Sequence, residues 1–337
     1  MIEKKNMQIQ AVRGIFCIFI MIYHFTLRYS DIYGNNRFAF ECGGLLGTVG
    51  LGGFLFISGI YMLNPNKFKD FHSFVLKKVK RLYPEYIYAI IIIFLVNNFG
   101  FLGKERSTNL YEFLFNIPML NVFFGIKYVD GAHWYVIFLV LMAVFFGLIV
   151  KLKLYYYHIL WLFNFIGIFL MAILNYQKSS IILLRFEDYI RYYLLVTLGA
   201  YFSYLKYEMK KINVISTQIL LLSFLSMFLL DGFLNSLLIL GTIIFIELAL
   251  NRKIGFLSSL HVIVYIGNFS YMIYLMHQNI GFSILNFLEQ YFAWNIVLEL
   301  ILTCCIIIFI SIISEKILLW IKNSLCKIDY NKIFQKF

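Results

Sequence analysis

Charged side chains are scarce in this chain: only 14% of its 337 residues are Asp, Glu, Lys or Arg, against about 25% in an ordinary soluble domain. The deficit excludes a water-solvated globule. It also excludes a disordered chain, which needs high charge and little apolar content. Proline is nearly missing, with three residues, and glycine numbers 21, so collagen-like and Pro-rich segments are ruled out and few long loops are expected. The five cysteines, Cys17, Cys42, Cys304, Cys305 and Cys326, are odd in number and none stands at C-x-x-C spacing. Neither a disulfide scaffold nor a metal site is indicated, and packing inside apolar runs is their expected role.

Apolar residues are what the chain has in excess. They make up 62% of it, aromatics alone 20%, and the mean hydropathy is +0.82. A helix crossing a bilayer needs about 20 mostly apolar residues. Ten stretches qualify: 8–29, 42–63, 84–103, 133–150, 155–175, 189–205, 213–231, 233–250, 267–288 and 293–318. The expected fold is therefore all-α, a polytopic membrane protein of about ten spans forming one unit over residues 1–337, with a basic tail at 316–337. The apolar run Leu110 to Phe124 carries Glu112, Asn116, Pro118 and Asn121, and reads as a re-entrant or interfacial piece. The first span resembles a signal peptide only superficially and is expected to stay as a span: it holds Arg13 and His24, and no small-residue cleavage site follows it.

Lys and Arg stay on the cytoplasmic side of a membrane protein. With the N-terminus inside, 21 of the 29 basic residues fall in inner loops and 8 in outer ones, and both termini are cytoplasmic. The net charge of +12 then reflects topology and contact with anionic lipid, and no nucleic-acid partner is expected.

Polar groups inside spans are costly and therefore informative. Arg13 and His24 stand 11 residues apart, about three turns, so they share one helical face about 16 Å apart. A snorkelling arginine and a bundle-bonded histidine fit this equally well; so does a general base, which histidine supplies near neutral pH. In the second span Gly43, Gly47 and Gly50 form a stripe with Gly52 and Gly59 opposite, and Ser58 lies beside them. Close helix packing explains most such glycines; backbone approach to a thin ligand is the alternative. Residues 67–82 set Phe68, Phe71, Val75, Val79 and Leu82 at helical spacing beside Lys77, Lys78, Lys80 and Arg81. That is an interfacial helix on anionic lipid or a site for a phosphorylated cytoplasmic donor. Ser270, Tyr274, His277 and Gly281 share a face of the ninth span, as a polar cavity or a hydrogen-bonded helix contact would require. Trp134 and Tyr135 open the fourth span, where belt residues commonly sit. Glu247 and Glu299 lie within spans without an assignable partner.

Five of these segments in series resemble the bacterial membrane acyltransferase-3 family, the O-acyltransferases of envelope sugars. Val12-Arg13-Gly14 through Tyr23-His24-Phe25 is similar to its opening Arg-Gly…His signature, with the same ten-residue gap. Gly50 to Gly59, with Phe54, Phe56 and Ser58, resembles its Gly-rich second motif. Lys77-Lys78-Val-Lys80-Arg81 through Pro84 and Tyr86 resembles its basic loop, Trp134 its Trp motif, and Phe269 through His277 its late Ser-Tyr…Tyr-Leu-x-His segment. Two features depart from the pattern: no Glu follows Trp134 within two turns, and Lys78 stands where an arginine is common.

The resemblance implies a short, membrane-only enzyme of the bacterial cytoplasmic membrane. It implies transfer of an acyl group, acetyl first, from acyl-CoA as co-substrate to a hydroxyl of a surface polysaccharide or its lipid-linked precursor, with no bound cofactor and no metal. His24 would act as base or acyl relay and Arg13 would hold the donor. Lys77, Lys78, Lys80 and Arg81 would bind the donor, and Ser58, Trp134, Ser270, Tyr274 and His277 would line the cavity. An exporter or flippase for the same glycan is the alternative.

Overall fold

A computed structural model describes residues 6–63, 70–103, 106–176, 187–206, 214–292 and 295–327. Helices account for nearly all of these residues, with no strand among them. Helix α1, Met7–Tyr23, starts at Asn6, whose side chain accepts from the backbone of Gln8 and Ile9 and satisfies donors a helix start leaves open. It continues through a π-helical turn, His24–Arg28, into α2, Tyr29–Tyr33, and stops at Gly34 with φ +67°. There follow α3, Glu41–Met62; α4, Phe71–Phe99; α5, Leu110–Asn116; α6, Trp134–Lys151; α7, His158–Tyr176; α8, Glu187–Tyr204; α9, Val214–Leu250; α10, His261–Asn268; α11, Ser270–Tyr291; and α12, Ile296–Lys327. Among the described residues six helical segments are both long and apolar enough to cross a membrane, Met7–Tyr33 and Ile296–Ser324 being two of them.

The 37 residues of α9 are two helices. Gly232 takes φ +76° and ψ 173°, a backbone open to glycine and strained for other residues. A straight helix would hold Leu220 and Leu248 about 42 Å apart, yet both line one apolar groove of about 300 Å³. The chain therefore folds back at Gly232, where the sequence pattern separates its seventh and eighth spans.

Two expectations change. The basic amphipathic stretch is not a helix of its own. From Phe71 onward it runs unbroken into the third span as α4, straight through Pro84. Proline removes one helix bond and crowds the preceding turn, and the carbonyl of Leu82 there accepts from the Tyr271 hydroxyl at 2.9 Å. Residues 67–69 lie outside the described residues, as do residues 328–337 of the basic tail, whose earlier part, up to Lys327, continues α12. The cysteines are not uniformly core: Cys17 is buried, whereas Cys42 and Cys305 are exposed.

Glycines set the packing. A Cβ on Gly14 would strike the carbonyl of Ile263, and one on Gly267 the carbonyl of Gln10, so α1 and α10 meet backbone to backbone. Gly59 of α3 and Gly199 of α8 do the same, against Val196 and Phe56. Gly43, Gly47, Gly50 and Gly53 face Thr26, Tyr23, Ile20 and Phe16 along the first helical segment. Helix packing thus accounts for the glycine stripe. The charged groups left over inside spans also find partners: Glu299 pairs with Arg37 at 3.3 Å and Glu247 with Lys206 at 3.7 Å. The 110–124 stretch is no span. α5 and a short 3-10 turn, Asn121–Phe124, expose Phe123 and Phe124 while burying Asn116 and Asn121.

Candidate active site

The face of the helical segment Met7–Tyr33 that carries Arg13 and His24 borders two cavities. Arg13 lines one, of about 450 Å³, together with Ser58, Lys78, Arg81, Glu85, Tyr135 and Ser270. His24 lines the other, of about 480 Å³, with Arg28, Thr48, Trp134, Arg191, Tyr192, Asp231 and Gln278. Ile20, Leu51 and Tyr274 border both.

The Arg13 cavity gathers three cations, Arg13, Lys78 and Arg81, with Glu85 and Glu315 also on its lining. Among the described residues the Arg13 guanidinium makes one long hydrogen bond, to Gln10 Oε1 at 3.4 Å, and it lines the cavity. Lys78 reaches the Tyr61 carbonyl at 3.1 Å and lies over the Phe74 ring. Burial, with Arg81 and Lys77 nearby, pulls its ammonium from the usual lysine range down to about 8. Glu85 is engaged by Lys322 at 2.8 Å. Of the four basic residues the sequence pattern offers for the donor, Lys78 and Arg81 line this cavity. Lys77 and Lys80 are exposed and do not, because at helical spacing four near-consecutive residues cannot share one face.

The His24 cavity has the chemistry of a base beside a polar, aromatic bed. His24 opens the π-helical turn, a local widening often found at functional sites. Its ring stands edge-on to Tyr23 at 4.9 Å and to His277 at 4.7 Å. Among the described residues Nδ1 is enclosed without a hydrogen-bond partner, which leaves Nε2 as the nitrogen available to the cavity. Trp134 stacks on Tyr192 at 4.3 Å and 16°, and Arg191 is ion-paired with Asp231 just before the Gly232 bend.

His277, a cavity residue by its place in the sequence, lines neither cavity. It is wholly buried behind His24, and its Nδ1 donates to the Tyr274 carbonyl at 2.7 Å. The turn of α11 that bears it is held from outside. His133 Nε2 donates to the Leu275 carbonyl at 3.0 Å, while Asp130 Oδ2 accepts from the Asn279 amide at 3.0 Å; these two groups bracket His277. Ser58 bonds the Tyr135 hydroxyl at 2.9 Å, and the Tyr274 hydroxyl donates to the Ala132 carbonyl.

Sequence reasoning assigns no role to Asp130, His133, Arg191, Asp231 or Gln278. Asp231 has a signal: a carboxylate beside a glycine between two apolar runs. Arg191 has only its place at the outer end of the 189–205 span, where it counts as one basic residue of the outer side.

A family model described as an acyltransferase domain matches residues 6–316 of the chain. No curated protein and no solved structure matches it.

Proposed function

The chain belongs to the acyltransferase-3 family and is a multi-pass membrane acyltransferase, and from that premise we propose that it moves an acyl group, acetyl first, from cytoplasmic acyl-CoA to a sugar hydroxyl. The acceptor is a cell-surface polysaccharide or its lipid-linked precursor, and the enzyme sits in a bacterial cytoplasmic membrane with both termini inside. One observation carries the reading. A cavity with three cations, Arg13, Lys78 and Arg81, abuts a second cavity holding His24, and α1 runs along both.

In this mechanism the phosphates of CoA lie against Lys78 and Arg81, and Arg13 hydrogen-bonds the donor's polar end near the thioester. His24 Nε2 takes the proton of the sugar hydroxyl as its oxygen attacks the acyl carbon. The C–S bond breaks, the ester forms, and the imidazolium returns the proton to the departing thiolate. Trp134, Tyr192 and the Arg191–Asp231 pair supply the stacking surface and hydrogen-bonding groups that a sugar ring needs. The test is mass spectrometry of the surface glycan with and without the protein. Acyl groups should vanish while the glycan still reaches the surface; unchanged acyl content overturns the proposal, and loss of the glycan itself points to export.

The donor site makes its own prediction. Neutralising Lys78 and Arg81 together should raise the KM for acyl-CoA, each charged contact contributing about 1.5–3 kcal/mol. Lys78 carries its charge below its lowered pKa and loses it above, so kcat/KM for the donor, which reports the free enzyme, should fall as pH rises past about 8. Lys78→Arg keeps its charge and should flatten that decline. An unchanged donor KM in the double variant would leave this segment as a lipid anchor only.

Orientation is checked through the cysteines. Cys42 is exposed at the start of α3, on the outer side in this topology. A membrane-impermeant thiol reagent on intact spheroplasts should label it and spare Cys326 at the cytoplasmic end. Strong labelling of Cys326 reverses the orientation.

A further inference from the structure

We infer that Ile20, Leu51 and Tyr274 form a neck between the two cavities and that its width sets the length of the acyl group delivered to His24. The inference rests on the acyl-transfer reading above and adds to it a specificity determinant. These three residues are the lining the two cavities have in common. Along α1, Ile20 lies seven residues after Arg13 and four before His24, so all three share one face. The straight path from the cationic cavity to the histidine therefore passes over Ile20.

Two walls of the neck are held in place. A Cβ on Gly50 would come within 2.9 Å of Ile20 Cγ1, so α3 backs that side chain closely. The Tyr274 hydroxyl is committed to the Ala132 carbonyl, and its ring packs 5.0 Å from that of Tyr135. Leu51 supplies the third, aliphatic wall from α3. Two aliphatic side chains and a phenol with its hydroxyl occupied offer nothing to a phosphate, but they suit a short acyl group. The charged part of the donor stays with Arg13, Lys78 and Arg81 while the acyl end enters the neck. In a close-packed passage, room for each further methylene must come from the walls.

The test compares acetyl-, propionyl- and butyryl-CoA as donors in membrane vesicles from the producing cells, which carry the native acceptor, with glycan acylation read by mass spectrometry. The wild type should favour acetyl. Leu51→Ala should raise the kcat/KM ratio of butyryl- to acetyl-CoA by about tenfold or more, the scale of discrimination a methylene provides in a hydrophobic pocket. A ratio does not depend on how much protein folds. Should Leu51→Ala give no active protein, Ile20→Val trims the same neck by one methylene, and the propionyl-to-acetyl ratio should rise. A wild type that uses all three donors equally, or variants that acylate with an unchanged ratio, overturn the neck and leave the acyltransferase reading standing. A wild type inactive with every donor overturns both.

Discussion

Replacing His24 by alanine is expected to lower acyl transfer by about 10²–10⁴-fold, the usual cost of losing a positioned general base, with the protein still made at normal level. The second half of that expectation comes from the packing around the ring. Among the described residues the His24 side chain makes ring contacts with Tyr23 and His277, and its enclosed Nδ1 has no hydrogen-bond partner. Truncation therefore breaks no buried hydrogen bond, which is what makes the loss of a structural histidine destabilising. Membrane protein level by immunoblot and glycan acylation by mass spectrometry separate the two readouts. Abundant His24→Ala protein that acylates normally would remove His24 from the mechanism. Arg13→Lys belongs to the same experiment: it retains charge but loses the planar fork, so transfer should drop if the donor contact is directional.

Gly59→Ala should deplete folded protein, whereas Gly167→Ala should leave it unchanged or slightly more stable. The chemical change is the same and the sign is opposite. In a helix interior alanine is favoured over glycine by about 1 kcal/mol, and at Gly167 a Cβ would meet nothing within 4 Å. At Gly59 it would run into the Val196 carbonyl, and the reciprocal contact of Gly199 on Phe56 prevents α3 and α8 from sliding apart locally. Overpacking of this kind costs about 1–3 kcal/mol and more where backbone must move. Thermal unfolding of the detergent-solubilised protein, followed by size-exclusion chromatography, reads both variants. Equal melting temperatures would mean that α3 and α8 can part at little cost.

The helical class, the membrane setting and the Arg13–His24 face are all legible in the sequence, because each is a local property. Composition decides whether water or lipid solvates a chain, and a 3.6-residue period decides which side chains share a face. Even the break at Gly232 is visible there, as a charged residue and a glycine between two apolar runs. The same locality explains why the sequence pattern divides α4 into two pieces. A run of lysines looks like a separate surface helix, and only the partners of α4 show that the backbone continues through Pro84.

What the period cannot give is the neighbour across the gap. The Arg13–His24 face is predictable, but that it borders two abutting cavities depends on where α3 and α11 lie against α1. His277 shares a face with Tyr274, yet Tyr274 borders both cavities and His277 sits behind His24, out of reach of either. The Arg191–Asp231 pair and the Trp134–Tyr192 stack join helices remote in sequence. Amino-acid order is enough to fix what kind of molecule this is and which side chains lie in line along α1. Which of them meet is settled by the assembled bundle, because contact between helices depends on the packing of whole faces, glycine against backbone, and no single segment carries that information.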